Sequence, residues 1–304
     1  RRLLLLRAQG ALSFIFILES LVLWASQTLL PELNRLKGLR AAGLNVSFDF
    51  SVLELRNWAP IGHQNYVAGY LVLSLPLLLG LALISTGSWR WVWGLGFGLG
   101  LLDLYTTSSR GGWLGLALMG ASGILLLMGH SRIPGRLRWG GGLVLLLGLG
   151  GMALANNRLR SLFFAASSDS VGGETAFRLI TNAAGWAIGL AHPVFGAGPG
   201  SVSLLYQAYR PTWAGREAEL VYQLHSTPAQ IWAELGGFGI ALSLLMVGWL
   251  GYWGVRLWRT LRTTPMQPAL RGDRILSWSL IAGLTGYGVV SITDYQLDIV
   301  GISG

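Results

Sequence analysis

The sequence predicts an all-α fold, a polytopic bundle of about seven membrane-spanning helices. Three observations carry that expectation. Only 12% of the 304 residues are charged while 52% are hydrophobic, and the mean hydropathy is +0.54. A soluble domain carries about 25% charged residues, so this chain lacks the polar groups to clothe a globular surface, whereas it can face lipid. Apolar runs close to the roughly 20 residues needed to cross a bilayer recur along it. Its 44 glycines and 14 tryptophans suit close helix approach and the membrane interface respectively.

Taken in order, the candidate spans are Ala11–Leu30, Tyr66–Ser85, Trp89–Tyr105, Trp113–Met128, Leu137–Ala155, Ala229–Tyr252 and Ile275–Thr293. The third to fifth are short and glycine-rich, which suits little tilt or a thinner stretch of bilayer. With the N-terminus inside, the inner segments hold Arg1, Arg2 and Arg7, then Arg90, then Arg132, Arg136 and Arg138, then Arg256, Arg259, Arg262, Arg271 and Arg274, against one acid, Asp273. Short basic loops on the cytoplasmic side are what the positive-inside rule requires, so span count and charge agree. The expected location is the bacterial inner (plasma) membrane, with the active face outward.

The formal net charge of +9 invites a nucleic-acid reading. The arginines are separated by long apolar runs rather than gathered on one face, so topology accounts for the charge and no nucleic-acid partner is expected. The absence of cysteine excludes disulfides and Cys-based metal sites. No Walker, HExxH or GxSxG pattern occurs, and four scattered histidines on different sides of a membrane make no metal site. No cofactor and no metal are expected. The chain begins with Arg1, not Met, and nothing near it resembles a signal peptide. It reads as part of a longer protein, with further helices at either end.

Residues 1–304 are expected to form a single membrane domain. Two external segments stand out within it, from about Pro31 to His63 and from 156 to 228. The second is far longer than a simple connector, and long structured loops usually carry function. Inside it Thr175–Ala191 predicts a helix lying at the membrane surface or packed under the loop, with Arg178, Thr181 and Asn182 within one turn. The following HPVFGAGPGSV, His192–Val202, spaces Gly196, Gly198 and Gly200 as a tight, backbone-exposing turn. It follows no strand, so a dinucleotide-binding reading is poor. The segment ends with HSTPAQIWAELG, where Thr227, Pro228 and Gln230 fit N-cap, N1 and N3 of a capping box. His225 then lies just outside a helix N-terminus, whose free N–H groups favour an anion. The same positive end favours the neutral imidazole that a general base needs. A histidine that merely hydrogen-bonds the loop is the plain alternative.

Arg110, in TTSSRGGWLG, falls at the outer interface, the side on which the charge rule does not want it. A guanidinium there fits bidentate phosphate binding; snorkelling is the alternative. Asp103 and Glu19 lie within proposed spans, where carboxylates usually face the protein interior or water. His63 stands at the outer start of the second span, His130 on the inner side, and Asp294 and Asp298 near the outer end of the last span as weaker candidates.

Three segments together resemble the O-antigen ligase and O-antigen polymerase superfamily. TTSSRGGWLGLAL (Thr106–Leu118) is similar to its Ser-Arg-Gly-small-Trp-Leu element. The stretch from Arg178 through Trp186 to HPVFGAGPGSV is similar to its Arg…Trp…His-Pro-Leu-Phe-Gly-x-Gly-Pro-Gly element. HSTPAQIWAELGGFG (His225–Gly239) is similar to its His-Asn/Ser-x-x-Leu-Gln…Glu-Leu-Gly element, with Ser226 and Thr227-Pro228 departing from the commoner Asn and non-proline residues. The resemblance spans about Gly62 to Gly254.

It implies a GT-C-like helical fold and a metal-independent, inverting glycosyl transfer of the kind used in lipopolysaccharide and polysaccharide biosynthesis. The donor would be a polyprenyl-diphosphate-linked glycan, the acceptor a lipid A-core, glycan or protein hydroxyl, and membrane lipids the surrounding partner. Arg110 and Arg178 would bind the donor diphosphate, His225 would serve the acceptor as general base or positioning group, and His63 and Arg210 would complete the substrate-binding set. Arg110, Arg178 and His225 are then expected to converge on one outward-facing cavity. The competing class is a small-anion, bicarbonate-type transporter or its accessory subunit, for which Asp103 and Glu19 speak.

Overall fold

The computed structural model describes residues 1–44, 46, 56–129, 140, 143, 147, 150, 151, 174–215, 218–263 and 271–296. Every regular element among them is helical, as expected of an all-α membrane protein. The helices are α1 (Arg2–Trp24), a π-type turn (Ala25–Leu29), α2 (Leu30–Ala41), α3 (Gln64–Ile84), α4 (Ser88–Thr107), α5 (Arg110–Gly129), α6 (Glu174–Ala191), α7 (Val202–Tyr209), α8 (Thr227–Thr263) and α9 (Arg271–Thr293). Among the described residues, four stretches are long and apolar enough to cross a membrane: Arg2–Ala41, Gln64–Ile84, Thr227–Leu257 and Gly272–Thr293. The third and fourth candidate spans coincide with α4 and α5, of 20 residues each. Of the fifth, only residues 140, 143, 147, 150 and 151 are described, and all five are helical. His130, Asp298 and the external residues 156–173 lie outside the described residues.

The chain divides into two compact units, Arg1–Phe163 with Leu261–Gly288, and Phe164–Thr260 with Val289–Gly304. In the first unit α3 is the central element. Leu71, Leu75, Leu78 and Leu81 are all fully buried and pack with Ile17 of α1 and Leu104 of α4. Small residues let the neighbours in. A side chain at Gly100 would meet Leu75 at 2.8 Å, one at Gly80 would meet Ser279 at 2.3 Å, and one at Gly286 would meet Val72 at 2.8 Å. Helices in lipid associate through such close backbone approach, since no hydrophobic effect drives them together.

The external segment placed from Pro31 onward begins as helix, and α2 carries α1 on to Ala41. Proline in mid-helix lacks an N–H and crowds the carbonyl four residues back. Widening to a π-type turn at Ala25–Leu29, just ahead of Pro31, relieves that crowding without breaking the rod. Glu32 accepts two hydrogen bonds from Arg35, at 2.8 and 2.6 Å, one turn further along.

Asp103 is fully buried near the end of α4, yet it faces partners rather than lipid. Its Oδ1 accepts from Ser20 Oγ of α1 at 2.9 Å and from Asn57 Nδ2 at 2.8 Å. The Asn57 amide N–H in turn donates to the Thr106 carbonyl at 3.0 Å. The carboxylate thus ties α1 and the segment ahead of α3 to the end of α4. Asp103→Ala takes the acceptor from a buried Asn57 Nδ2–H, at a cost of about 1–3 kcal/mol, while Ser20 can still donate to the Ala59 carbonyl at 2.8 Å. We expect a clearly lower thermal midpoint for that variant in detergent, near wild-type behaviour for Asp103→Asn, and no change for Leu102→Ala on the exposed face.

Candidate functional site

In the second unit the sequence HPVFGAGPGSV meets the start of α8, and backbone geometry explains both. Helix α8 breaks at Gly236, where φ is 61° and ψ is −155°. A break strands the carbonyls before it and the N–H groups after it. The segment from Pro193 to Gly198 takes them up. Ala197 and Gly198 N–H donate to the carbonyls of Ala233 and Glu234 at 2.9 and 3.0 Å, while Gly237 and Phe238 N–H donate to those of Pro193 and Val194 at 2.8 and 3.0 Å. The backbones come so close that a Cβ on Gly196 would lie 2.2 Å from the Glu234 carbonyl carbon, and one on Gly236 would lie 2.5 Å from the Gly196 nitrogen. Both glycines also have positive φ. The predicted glycine turn is therefore a dock against a broken helix.

Helix α6 supports the same unit from below. Ile180, Thr181, Ala184 and Ile188 form its buried face, against Val202, Tyr206 and Leu224. The Tyr206 hydroxyl donates to the Ala218 carbonyl at 2.6 Å, and burial pushes this phenol above its ordinary pKa. Leu224 is held three ways: its side chain is fully buried, its carbonyl accepts from Thr181 Oγ1 at 3.1 Å, and its N–H donates to Gln230 Oε1 at 2.9 Å. Gln230 Nε2 donates onward to buried Glu234 at 2.8 Å.

His225 follows directly and sits in the left-handed region at φ 51°. A non-glycine residue there costs on the order of 1–3 kcal/mol and persists only where its surroundings over-determine it. Here the fixed Leu224 on one side and α8 on the other impose the turn. The imidazole lies edge-on to Phe177 of α6, ring centroids 5.2 Å apart. Its Nδ1–H donates to Asp294 Oδ1 at 2.8 Å, and Asp294 is fully buried while 28% of the His225 side chain is exposed. An ionised carboxylate accepts only, so beside one Nδ1 carries the proton, and in the neutral imidazole Nε2 is then the nitrogen with the lone pair.

Arg178, one turn into α6, donates to the carbonyl of Thr293, the last residue of α9. A guanidinium at a helix C-terminus caps free carbonyls and complements the dipole. Thr227 Oγ1 donates to the Asp294 carbonyl at 2.9 Å. Arg178 and His225 are thus brought to the consecutive residues 293 and 294. Arg210 ends α7 and donates to the Gly215 carbonyl.

Arg110 and His63 belong to the first unit. Arg110 opens α5 after the run Thr106 to Ser109, whose four side chains are all buried. Ser108 is left-handed at φ 49°, and Ser109 Oγ accepts from Gly112 N–H at 3.2 Å while donating to Asn65 Oδ1 at 2.8 Å. The turn that presents Arg110 is therefore fixed from both ends. His63 is the N-cap of α3, with Nδ1 accepting from Asn65 N–H at 3.2 Å.

Two expectations change at the residues themselves. Thr227 is the first residue of α8 rather than its cap, because its hydroxyl is engaged by Asp294, and Gln230 reaches back to Leu224 instead. Asp294 read as a weak candidate in the sequence and proves to be the direct partner of His225. Its only sequence signal was an acid at the end of an apolar run; the pairing crosses 69 residues of chain.

Residues 95–244 match the family model described as O-antigen ligase. No curated protein and no solved structure matches the chain. The matched segment takes in Arg110, Arg178, Arg210 and His225, and Asp294 lies beyond it. We expect Gly196→Ala and Gly236→Ala each to lose at least 1–3 kcal/mol, from strain alone, and to speed proteolysis between residues 192 and 236. Gly248→Ala, where an added Cβ meets nothing within 4 Å, should match wild type in the same assay.

Proposed function

Through residues 95–244 this chain belongs to the O-antigen ligase and polymerase superfamily, and on that premise we propose that it transfers a glycan from a polyprenyl-diphosphate carrier to an acceptor hydroxyl at the outer face of the membrane. The observation that carries the reading is the His225–Asp294 pair at 2.8 Å, with Arg178 fixed at the adjacent residue.

The chemistry follows from those groups. The acceptor O–H gives its proton to His225 Nε2 as its oxygen attacks the anomeric carbon. The bond from that carbon to the diphosphate oxygen breaks, and the electron pair stays on the leaving diphosphate. Attack opposite the leaving group inverts the anomeric centre. Asp294 holds the imidazole in the required tautomer and stabilises the imidazolium that forms, as the carboxylate of a catalytic triad does. Arg178 and Arg110 are the fixed cations for the charge that grows on the diphosphate. This division needs no metal, since two guanidiniums supply the positive charge. Arg210 and His63 contact the glycan or the acceptor outside the reacting centre. The outward direction rests on the basic inner loops. Lipid A-core, glycan and protein acceptors share the one requirement, a hydroxyl.

The transport alternative gains nothing from Asp103, whose Oδ1 is engaged by Ser20 and Asn57. Glu19 sits on the exposed side of α1.

The test is transfer in proteoliposomes charged with a polyprenyl-diphosphate oligosaccharide. His225→Ala should lower kcat by about 10²–10⁴-fold, the usual worth of a general base, with a well-folded protein. Asp294→Asn, which keeps size but forfeits the tautomer, should fall in the same range. Arg178→Lys should lower kcat as well as raise KM for the donor, because its guanidinium both binds the diphosphate and meets the charge that grows on it. Undiminished transfer by His225→Ala would remove the histidine from the chemistry.

A further inference from the structure

Val194 and Phe195 are 60% and 71% exposed, and no residue from Pro193 to Gly200 has a polar side chain. Glycine and proline are ordinary turn residues; the exposed Val194 and Phe195 are what make this one apolar. Its depth follows from the helix to which it is bonded. The apolar stretch of α8, Thr227–Leu257, has 31 residues. The helix breaks at Gly236, so its straight apolar part runs from Gly237 to Leu257, about 31 Å at about 1.5 Å per residue, which matches a hydrocarbon core of about 30 Å. Phe238 then stands at the outer edge of that core, and the segment hydrogen-bonded to Gly237 and Phe238 stands at the same level.

We propose that residues 193–198 are seated at the edge of the hydrocarbon core beside α8, and that acyl chains of bilayer lipids cover Val194, Phe195 and Phe238. Two aromatic pairs agree with the levels. Trp186 and Trp232, with ring centroids 5.5 Å apart, fall at the headgroup boundary where tryptophan is favoured. Phe195 and Phe238, at 5.9 Å, fall below it. The surface is continuous with the lipid-facing side of the span: Phe238, Leu242, Leu245 and Trp249, spaced as one helical stripe, are 55%, 51%, 70% and 61% exposed. Irregular backbone is tolerated at such depth only where its polar groups are satisfied. The N–H groups of Gly196, Ala197 and Gly198 donate to the carbonyls of His192, Ala233 and Glu234, and the carbonyls of Pro193 and Val194 accept from α8. The element is independent of which glycan or acceptor is used, so its test is separate from that of transfer.

The chain has no cysteine, which suits single-site spin labelling of the full protein in phosphatidylcholine–phosphatidylglycerol vesicles. V194C and F195C are the test positions, both on exposed side chains. L242C in the span and Y222C ahead of α8 are the hydrocarbon and water references. Collision with oxygen relative to a water-soluble nickel chelate should be several-fold higher at 194 and 195 than at 222, and near that at 242. A ratio like that at 222 at both test positions overturns the proposal, because the turn then faces water. Exclusion of both reagents at both positions overturns it equally, because protein rather than lipid then covers the surface.

Discussion

A helix that crosses lipid can break only if something else takes up the hydrogen bonds it abandons, and the second unit is organised around one such substitution. At Gly236 the ladder of α8 opens and the Pro193–Gly198 segment closes it. Because the exchange is backbone to backbone, it demands glycine at the two points of closest approach, Gly196 and Gly236. It also sets where everything attached to it stands. Glu234, at the break, receives Gln230, Gln230 receives Leu224, and Leu224 leads directly into His225. The left-handed turn at His225 is thus the far end of a chain of contacts that begins at the broken helix.

Both candidate regions are held by buried polar side chains. Around His225, Thr181 and Gln230 fix Leu224, and Thr227 and His225 itself bond Asp294. Around Arg110 a run of four buried Thr and Ser side chains, an N-cap and the Asp103–Asn57–Ser20 cluster hold the turn. Each region places a non-glycine residue, His225 or Ser108, at positive φ beside or at the group of interest. Strain of that kind collects where a side chain must be aimed rather than merely packed.

Much of this was legible in the sequence, and the limits are physical. Membrane class and helical content follow from composition, which is additive along the chain and needs no knowledge of contacts. Helix α6 was readable because its buried positions, Ile180, Ala184 and Ile188, recur at helical spacing. The glycines of 196–200 announced an unusual backbone, but not that its partner was another glycine forty residues on. The capping pattern at Thr227 and Gln230 was visible, yet a local motif gives way when a stronger long-range acceptor, here the Asp294 carbonyl, competes for the hydroxyl. Asp294 itself was the least legible, since nothing local marks a carboxylate whose partner lies 69 residues away. The helical course of α2 was missed for the opposite reason: Pro31 and the charges after it argue against a helix locally, and the π-type turn ahead of them removes the objection.

That turn has a further consequence. Arg2–Ala41 is one continuous rod of 40 residues, about 60 Å at 1.5 Å per residue. A bilayer with its headgroups occupies about 40–45 Å of that. Even at an average tilt of about 20°, a rod of that length exceeds the bilayer by more than about 10 Å. Its α2 end carries Glu32, Arg35, Lys37 and Arg40 on an element with no buried residue of its own. Both ends of such a rod cannot be in lipid at once, and of its length the charged α2 portion is the part suited to water.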